Sequence, residues 1–241
     1  MTAYVLILAL GLVAGCVGGV IGTGSSIILL PVLVYTFGPK QAVPIMAVAS
    51  VMGNLARVIA WHRDVDWRAV AWYAIPGAPA AMLGARTLLA LPPAAIDVAL
   101  GVFFLCMIPL RRWHARSRRR MAPWHLAIAG ALIGYITGIV LSTGPLSVPV
   151  FAAYGLVGGA FLSTEAASSM TLYISKVIAF RSFGAMPLDI FAKGLLVGTS
   201  LMVGTYAGKA VVTRISADVF RHLLDAVLLC AGLALIWSGI R

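Results

Sequence analysis

Apolar residues run in long blocks along this chain, separated by short stretches of small, basic or turn-forming residues. The blocks fall at roughly 4–22, 26–37, 42–61, 69–90, 94–110, 124–140, 146–161, 166–180, 190–212 and 218–238. A bilayer-spanning helix needs about 20 mostly apolar residues. At about 1.5 Å per residue, the second and seventh blocks are too short to cross alone. Each follows its predecessor after a few small residues, so 4–37 and 124–161 count as two long, interrupted segments. The pattern predicts an all-α, polytopic membrane helix bundle of about eight transmembrane units. Whether an interrupted segment crosses once or folds back is left open by the pattern.

Composition agrees. The chain has 241 residues, 61% of them hydrophobic and 10% charged, with mean hydropathy +1.02. A soluble domain carries about 25% charged residues, and its core could not hide this much apolar surface. No room is left for a large extramembrane domain. The first block carries no Lys or Arg at its start, so it reads as a retained helix rather than a secretory signal. The three cysteines lie inside apolar blocks at no metal-ligand spacing. Neither a metal nor a cofactor is expected.

Net charge is +11. In a soluble protein that excess would suggest nucleic acid, but here the basic residues sit in short loops, where the positive-inside rule accounts for them. No nucleic-acid partner is expected; membrane lipid is. The densest basic stretch is Arg111, Arg112, Arg116, Arg118, Arg119 and Arg120. With eight simple crossings and this stretch in the cytoplasm, Arg63, Arg68, Arg181 and Lys193 share its side. Both termini are then cytoplasmic, in a plasma (inner) membrane protein.

The chain also repeats itself. Gly11, Gly15 and Gly19 recur as Gly130, Gly134 and Gly138; Thr23-Gly24 recurs as Thr143-Gly144, and Pro31 as Pro149. Ala49-Ser50-Val51-Met52 matches Ala167-Ser168-Ser169-Met170, and the run from Arg57 to Trp61 matches the run from Lys176 to Phe180. We divide the chain into a first repeat (1–110), a basic linker (111–123) and a second repeat (124–241), each with an interrupted helix at its start. Transporters are built from both parallel and inverted repeats, and both remain open.

Two places carry candidate chemistry. The first is the pair of small-residue breaks: Gly22, Thr23, Gly24, Ser25 and Ser26, and Ser142, Thr143, Gly144 and Ser147. A half-helix that starts at membrane depth exposes unpaired N–H groups and the positive end of its dipole, which favours an anion. The bland reading is close helix packing through small residues. We take that reading for the glycines at four-residue spacing, and the site reading for the Thr-Gly-Ser stretches. The second place is the repeat-related pair Arg57 and Lys176, with Asn54 one turn before Arg57. Cations inside apolar runs face the bundle interior or snorkel to an interface. If they face inward, the two could converge on one anion. Glu165 reads as a helix-start residue or a proton carrier, with the helix start preferred.

These residues resemble the TauE/SafE family of sulfite-exporter-like membrane proteins. The likeness rests on Gly11 through Gly24 leading to Pro31, on Trp61-His62-Arg63-Asp64-Val65-Asp66-Trp67-Arg68, and on Leu83-Gly84-Ala85 and Leu91-Pro92. It spans nearly the whole chain. Family members often carry a run of glycines where this chain has Gly24-Ser25-Ser26. The resemblance implies about eight membrane segments formed by duplication. It also implies export, and sometimes uptake, of sulfite, organosulfonates and related small anions. No nucleophile–base pair, zinc motif or P-loop is present, so no enzyme activity and no ATP engine of the chain's own are expected. A small anionic substrate moved by a secondary transporter is the leading expectation. The alternatives are a passive anion or small-solute channel, and a membrane enzyme or assembly factor. Oligomeric state is not legible.

Overall fold

A computed structural model of the protein describes residues 2–21, 25–92, 94–96, 98–99, 102, 105–106, 121–140, 144–211, 229, 233 and 236–237. The described residues contain eight longer α-helices, one 3-10 turn and no strand. In chain order they are α1 (Thr2–Ile21), α2 (Ser25–Phe37), α3 (Pro39–Ala60), α4 (Trp67–Ala90), α5 (Pro123–Val140), α6 (Gly144–Tyr154), α7 (Gly158–Ser182) and α8 (Leu188–Val211). The 3-10 turn, His62–Asp64, joins α3 to α4. Lys40–Ala60 and Leu188–Gly208 are apolar and long enough to cross a membrane; Val5–Gly19, Ile28–Phe37 and Pro123–Ile139 are shorter apolar stretches.

The helix ends follow from local chemistry. Asp66 caps α4, its Oδ1 accepting from the N–H groups of Arg68 and Ala69 at 3.0 Å each, and satisfies donors that a helix start leaves unpaired. Between α2 and α3 the chain turns on Gly38 alone, at φ +75°, a conformation that a Cβ would strain. Pro39 follows as the first residue of α3, where its missing N–H costs nothing. Gly184, at φ +72°, turns the chain from α7 toward α8 in the same manner.

The interrupted segments fold back. Met121 N, just before α5, donates to Ala153 O near the end of α6 at 2.8 Å. So α6 returns toward the side from which α5 came. With 11 residues it is about 16 Å long, roughly half the 30 Å hydrocarbon core, and it begins near mid-depth.

Contact registers fix the helix directions. Gly11 of α1 backs onto Ser200 of α8, Gly15 onto Leu201 and Gly204, and Gly19 onto Thr205, so the two helices run the same way. Gly194 and Gly198 of α8 back onto Val48 and Met52 of α3, again with rising numbers together. On the other side Gly130, Gly134 and Gly138 of α5 back onto Tyr73, Gly77 and Ala81 of α4. Asp66 N meets Thr164 Oγ1 at 2.9 Å, and Gly77 meets Leu172, which aligns α7 with α4. Arg57 of α3, however, pairs with Glu165 near the start of α7. Thus α1, α3 and α8 run one way and α4, α5 and α7 the other. The close-packing reading of the spaced glycines holds at both seams.

These directions correct the simple eight-crossing topology. The starts of α1 and α5 lie at opposite ends of the bundle, because each interrupted segment returns instead of crossing. Arg63 and Arg68 stand at the α5-start end, whereas Arg181 and Lys193 stand at the other. Residues 111–120 of the basic linker and residues 212–228 lie outside the described residues.

The surface is apolar as well as the core, and charged side chains are found among the buried residues. Leu188, Ile75, Leu132, Leu83 and Val203 are exposed, while Glu165 and Lys176 are 1% and 0% exposed. Apolar solvent outside and polar contacts inside are the terms a bilayer sets.

Candidate functional site

The two groups of like-directed helices meet where α3 crosses α7, and the buried polar side chains gather there. Arg57 is 8% exposed and lies three residues before the end of α3. A helical side chain leans toward its own N-terminus, so the guanidinium points inward. Its Nη1 donates to Glu165 Oε2 at 2.8 Å, and its Nη2 donates to Asn54 Oδ1. Asn54 Nδ2 is anchored in turn on Ser50 O at 2.8 Å.

Glu165 is the eighth residue of α7 and not a helix-start residue. Its Oε1 accepts from Ser147 Oγ of α6 and from Ser169 Oγ, each at 2.8 Å. One carboxylate therefore ties together α3, α6 and α7. The phenols of Tyr73 from α4 and Tyr173 from α7 are both within its electrostatic reach.

Both broken segments deliver their second halves to this centre. Ser147 is the fourth residue of α6, and Ser26, the second residue of α2, stands beside the Tyr173 hydroxyl. Ser50 is also beside that hydroxyl, yet Ser50 Oγ reaches hydrogen-bonding geometry with no group. Ser168 Oγ and Tyr73 OH are likewise buried without a partner. Such an atom costs about 1–3 kcal/mol, and native proteins rarely leave one without a water, ion or ligand to meet it.

Lys176, fully buried, reaches Thr137 O in the last turn of α5 at 2.7 Å and sits over the Phe180 ring at 5.4 Å. The carbonyl end of a helix favours a cation. Glu165 and Lys176 are eleven positions apart on α7, about 16 Å, so Arg57 and Lys176 occupy separate levels instead of converging on one point. The reason is the opposed running of α3 and α7, which carries repeat-related positions toward opposite ends.

Of the residues singled out from sequence, Asn54, Arg57, Ser147 and Ser26 gather at the centre and Lys176 stands apart. Gly144 starts α6 and Ser25 starts α2. Gly22, Thr23, Gly24, Ser142 and Thr143 lie outside the described residues. Sequence reasoning passed over Ser169, Tyr73 and Tyr173. The available signal was the polar run Ser163-Thr164-Glu165 and Ser168-Ser169 inside what proves to be one continuous buried helix.

The family model for the sulfite exporter TauE/SafE matches residues 7–235. The chain belongs to that family. Two relatives named "Probable membrane transporter protein", from Xylella fastidiosa strains Temecula1 and 9a5c, are each 26% identical to it. Each match covers 99% of this chain and 98% of the relative. No solved structure gives a significant match. For a TauE/SafE chain the fold-back helices and the inward-facing polar centre are consistent with a membrane-integral protein whose buried polar side chains lie on the inside.

Proposed function

We propose that this TauE/SafE protein is a secondary transporter that moves a small oxyanion, sulfite or an organosulfonate, out of the cell across the plasma (inner) membrane. The family and the names of the two relatives support a membrane transporter over an enzyme. The observation that carries the anion is the buried Arg57, aimed at a level where hydroxyls from both broken segments converge. In this reading Ser25, Ser26, Gly144 and Ser147, with Gly22, Thr23, Gly24, Ser142 and Thr143 at the breaks, line the anion path. Arg57 with Asn54 forms one cationic station and Lys176 a second, nearer the opposite face.

The reading includes an inverted duplication, supported by the opposite directions of α1 and α5, α3 and α7, and α4 and α8. The moving bodies are then the two glycine-seamed groups and not the two halves of the sequence, since each seam joins helices from both halves. Their α3–α7 contact is where the centre sits. In reconstituted vesicles, saturable counterflow of sulfite, taurine or sulfoacetate is expected, falling at least about tenfold in Arg57→Ala. Absence of flux for every sulfur oxyanion and carboxylate would overturn the substrate class. Unchanged flux in the variant would sink the site.

For orientation we propose that the end bearing Arg63, Arg68 and the start of α5 is cytoplasmic, since Arg118, Arg119 and Arg120 immediately precede Met121. The start of α1 then faces the other side, in place of the cytoplasmic N-terminus expected from simple crossings. In a cysteine-free background, Leu188→Cys should react with an impermeant maleimide in intact cells and Arg63→Cys only after permeabilisation. The reverse pattern inverts the assignment.

A further inference from the structure

We infer that Glu165 is an internal stand-in for the transported anion, and that substrate displaces its carboxylate from Arg57 as the carboxyl takes up a proton. This rests on the anion-transporter reading and adds a coupling ion to it.

The carboxylate holds the contacts an oxyanion would need: a guanidinium N–H from α3 and hydroxyls from α6 and α7. Tyr73 OH, which faces the carboxylate from α4, is buried and unpartnered, as is Ser168 Oγ one turn along α7. A planar carboxylate brings two oxygens, and both are engaged. A sulfite or sulfonate brings three, and the third gives the orphaned hydroxyls an acceptor. The centre therefore holds more hydrogen-bond donors than its present occupant accepts from.

The fold does not need an acid there to hold a buried cation. Lys176, the repeat counterpart of Arg57, is held by the Thr137 carbonyl and the Phe180 ring. Aligning Ala49 with Ala167 pairs Glu165 with Ala47, which is fully buried. The carboxylate belongs to one half alone.

Two anions cannot share one guanidinium in a low-dielectric site without repulsion, and protonation of Glu165 removes one of the charges. The groups facing the carboxyl are Arg57 from α3, Tyr73 from α4, Ser147 from α6, and Ser169 and Tyr173 from α7 itself. Asp64 of the 3-10 turn lies against Gly159, above the site, and Lys176 lies below. Among the described residues, Glu165 is thus the acid positioned to exchange a proton as the anion arrives. One proton moves from solvent to a Glu165 oxygen when the anion binds, and it leaves with the anion.

The test uses purified full-length protein and methanesulfonate, whose charge stays fixed between about pH 5 and pH 8, where a linked carboxyl would tilt affinity by up to about tenfold per pH unit. Wild type should bind more tightly as pH falls and take up about one proton per anion in weakly buffered solution. Glu165→Gln should bind more tightly than wild type at pH 8, with no pH slope and no proton uptake. Glu165→Asp should keep the slope. Should Glu165→Gln fail to fold, proton uptake by wild type decides alone, and none on binding overturns the inference. Binding with the same pH slope in Glu165→Gln overturns it too, and leaves the anion reading intact. No binding of methanesulfonate, sulfite or a carboxylate at any pH overturns both.

Discussion

Arg57→Ala is expected to destabilise the protein by about 3–5 kcal/mol, the usual cost of breaking a buried ion pair from one side. The substitution leaves Glu165, 1% exposed, without its guanidinium and leaves Asn54 Oδ1 without a donor. The double variant Arg57→Met, Glu165→Leu should recover part of that loss, because the unpaired buried charge is gone, although Asn54, Ser147 and Ser169 each lose a hydrogen bond. Thermal unfolding in detergent micelles gives both numbers. Transport should remain lost in the double variant despite partly restored stability, since the cationic station is gone. That separation excludes a merely structural role for the pair. A single Arg57→Ala variant that melts with wild type would mean that the ion pair adds nothing to the fold.

The parts of this architecture legible in the sequence are those that depend on composition and spacing. The four-residue glycine ladders required close backbone approach, and the structure sets each against a partner helix. Asn54 and Arg57 were recognisable as neighbours on one helical face, and the chain doubles back between α1 and α2 and between α5 and α6. Glu165 was misread for a physical reason. The run Ser163-Thr164-Glu165 lowers local hydropathy, so the apolar block appeared to begin at 166, whereas α7 begins at Gly158. The helix accommodates buried hydroxyls by letting them donate to the preceding turn, as Ser163 does to Gly159 O at 2.9 Å and Ser175 to Thr171 O at 2.9 Å. Topology was illegible because a fold-back of 13 or 11 residues and a broken crossing share one hydropathy profile. Hydropathy does not encode direction. The helix registers at the two seams and of α3 on α8, together with the Arg57–Glu165 pair, reveal it.

Gly134→Ala should cost more than about 2 kcal/mol, toward the upper part of the overpacking range, although it adds a single methyl. A Cβ there would meet backbone, with Gly77 Cα at 2.9 Å and Gly77 C at 3.0 Å, and the Gly77 oxygen closer still. Backbone cannot rotate aside as a side chain can, so α4 and α5 would have to separate along a seam that also holds Gly130 on Tyr73 and Gly138 on Gly84. In a bilayer no hydrophobic drive re-closes such a gap, because lipid tails are as apolar as the helix surface. Gly53→Ala is the matched comparison. Its Cβ would sit 3.7 Å from the Leu201 side chain, an ordinary contact, and alanine gains up to about 1 kcal/mol of helix propensity over glycine. The same substitution should therefore carry opposite signs at the two positions in thermal unfolding. Equal effects would mean that α4 and α5 do not approach backbone to backbone. Because the seam lies inside the group of α4, α5 and α7, its loosening should also lower transport by letting that group flex internally, so that motion no longer concentrates at the α3–α7 contact where Arg57 meets Glu165.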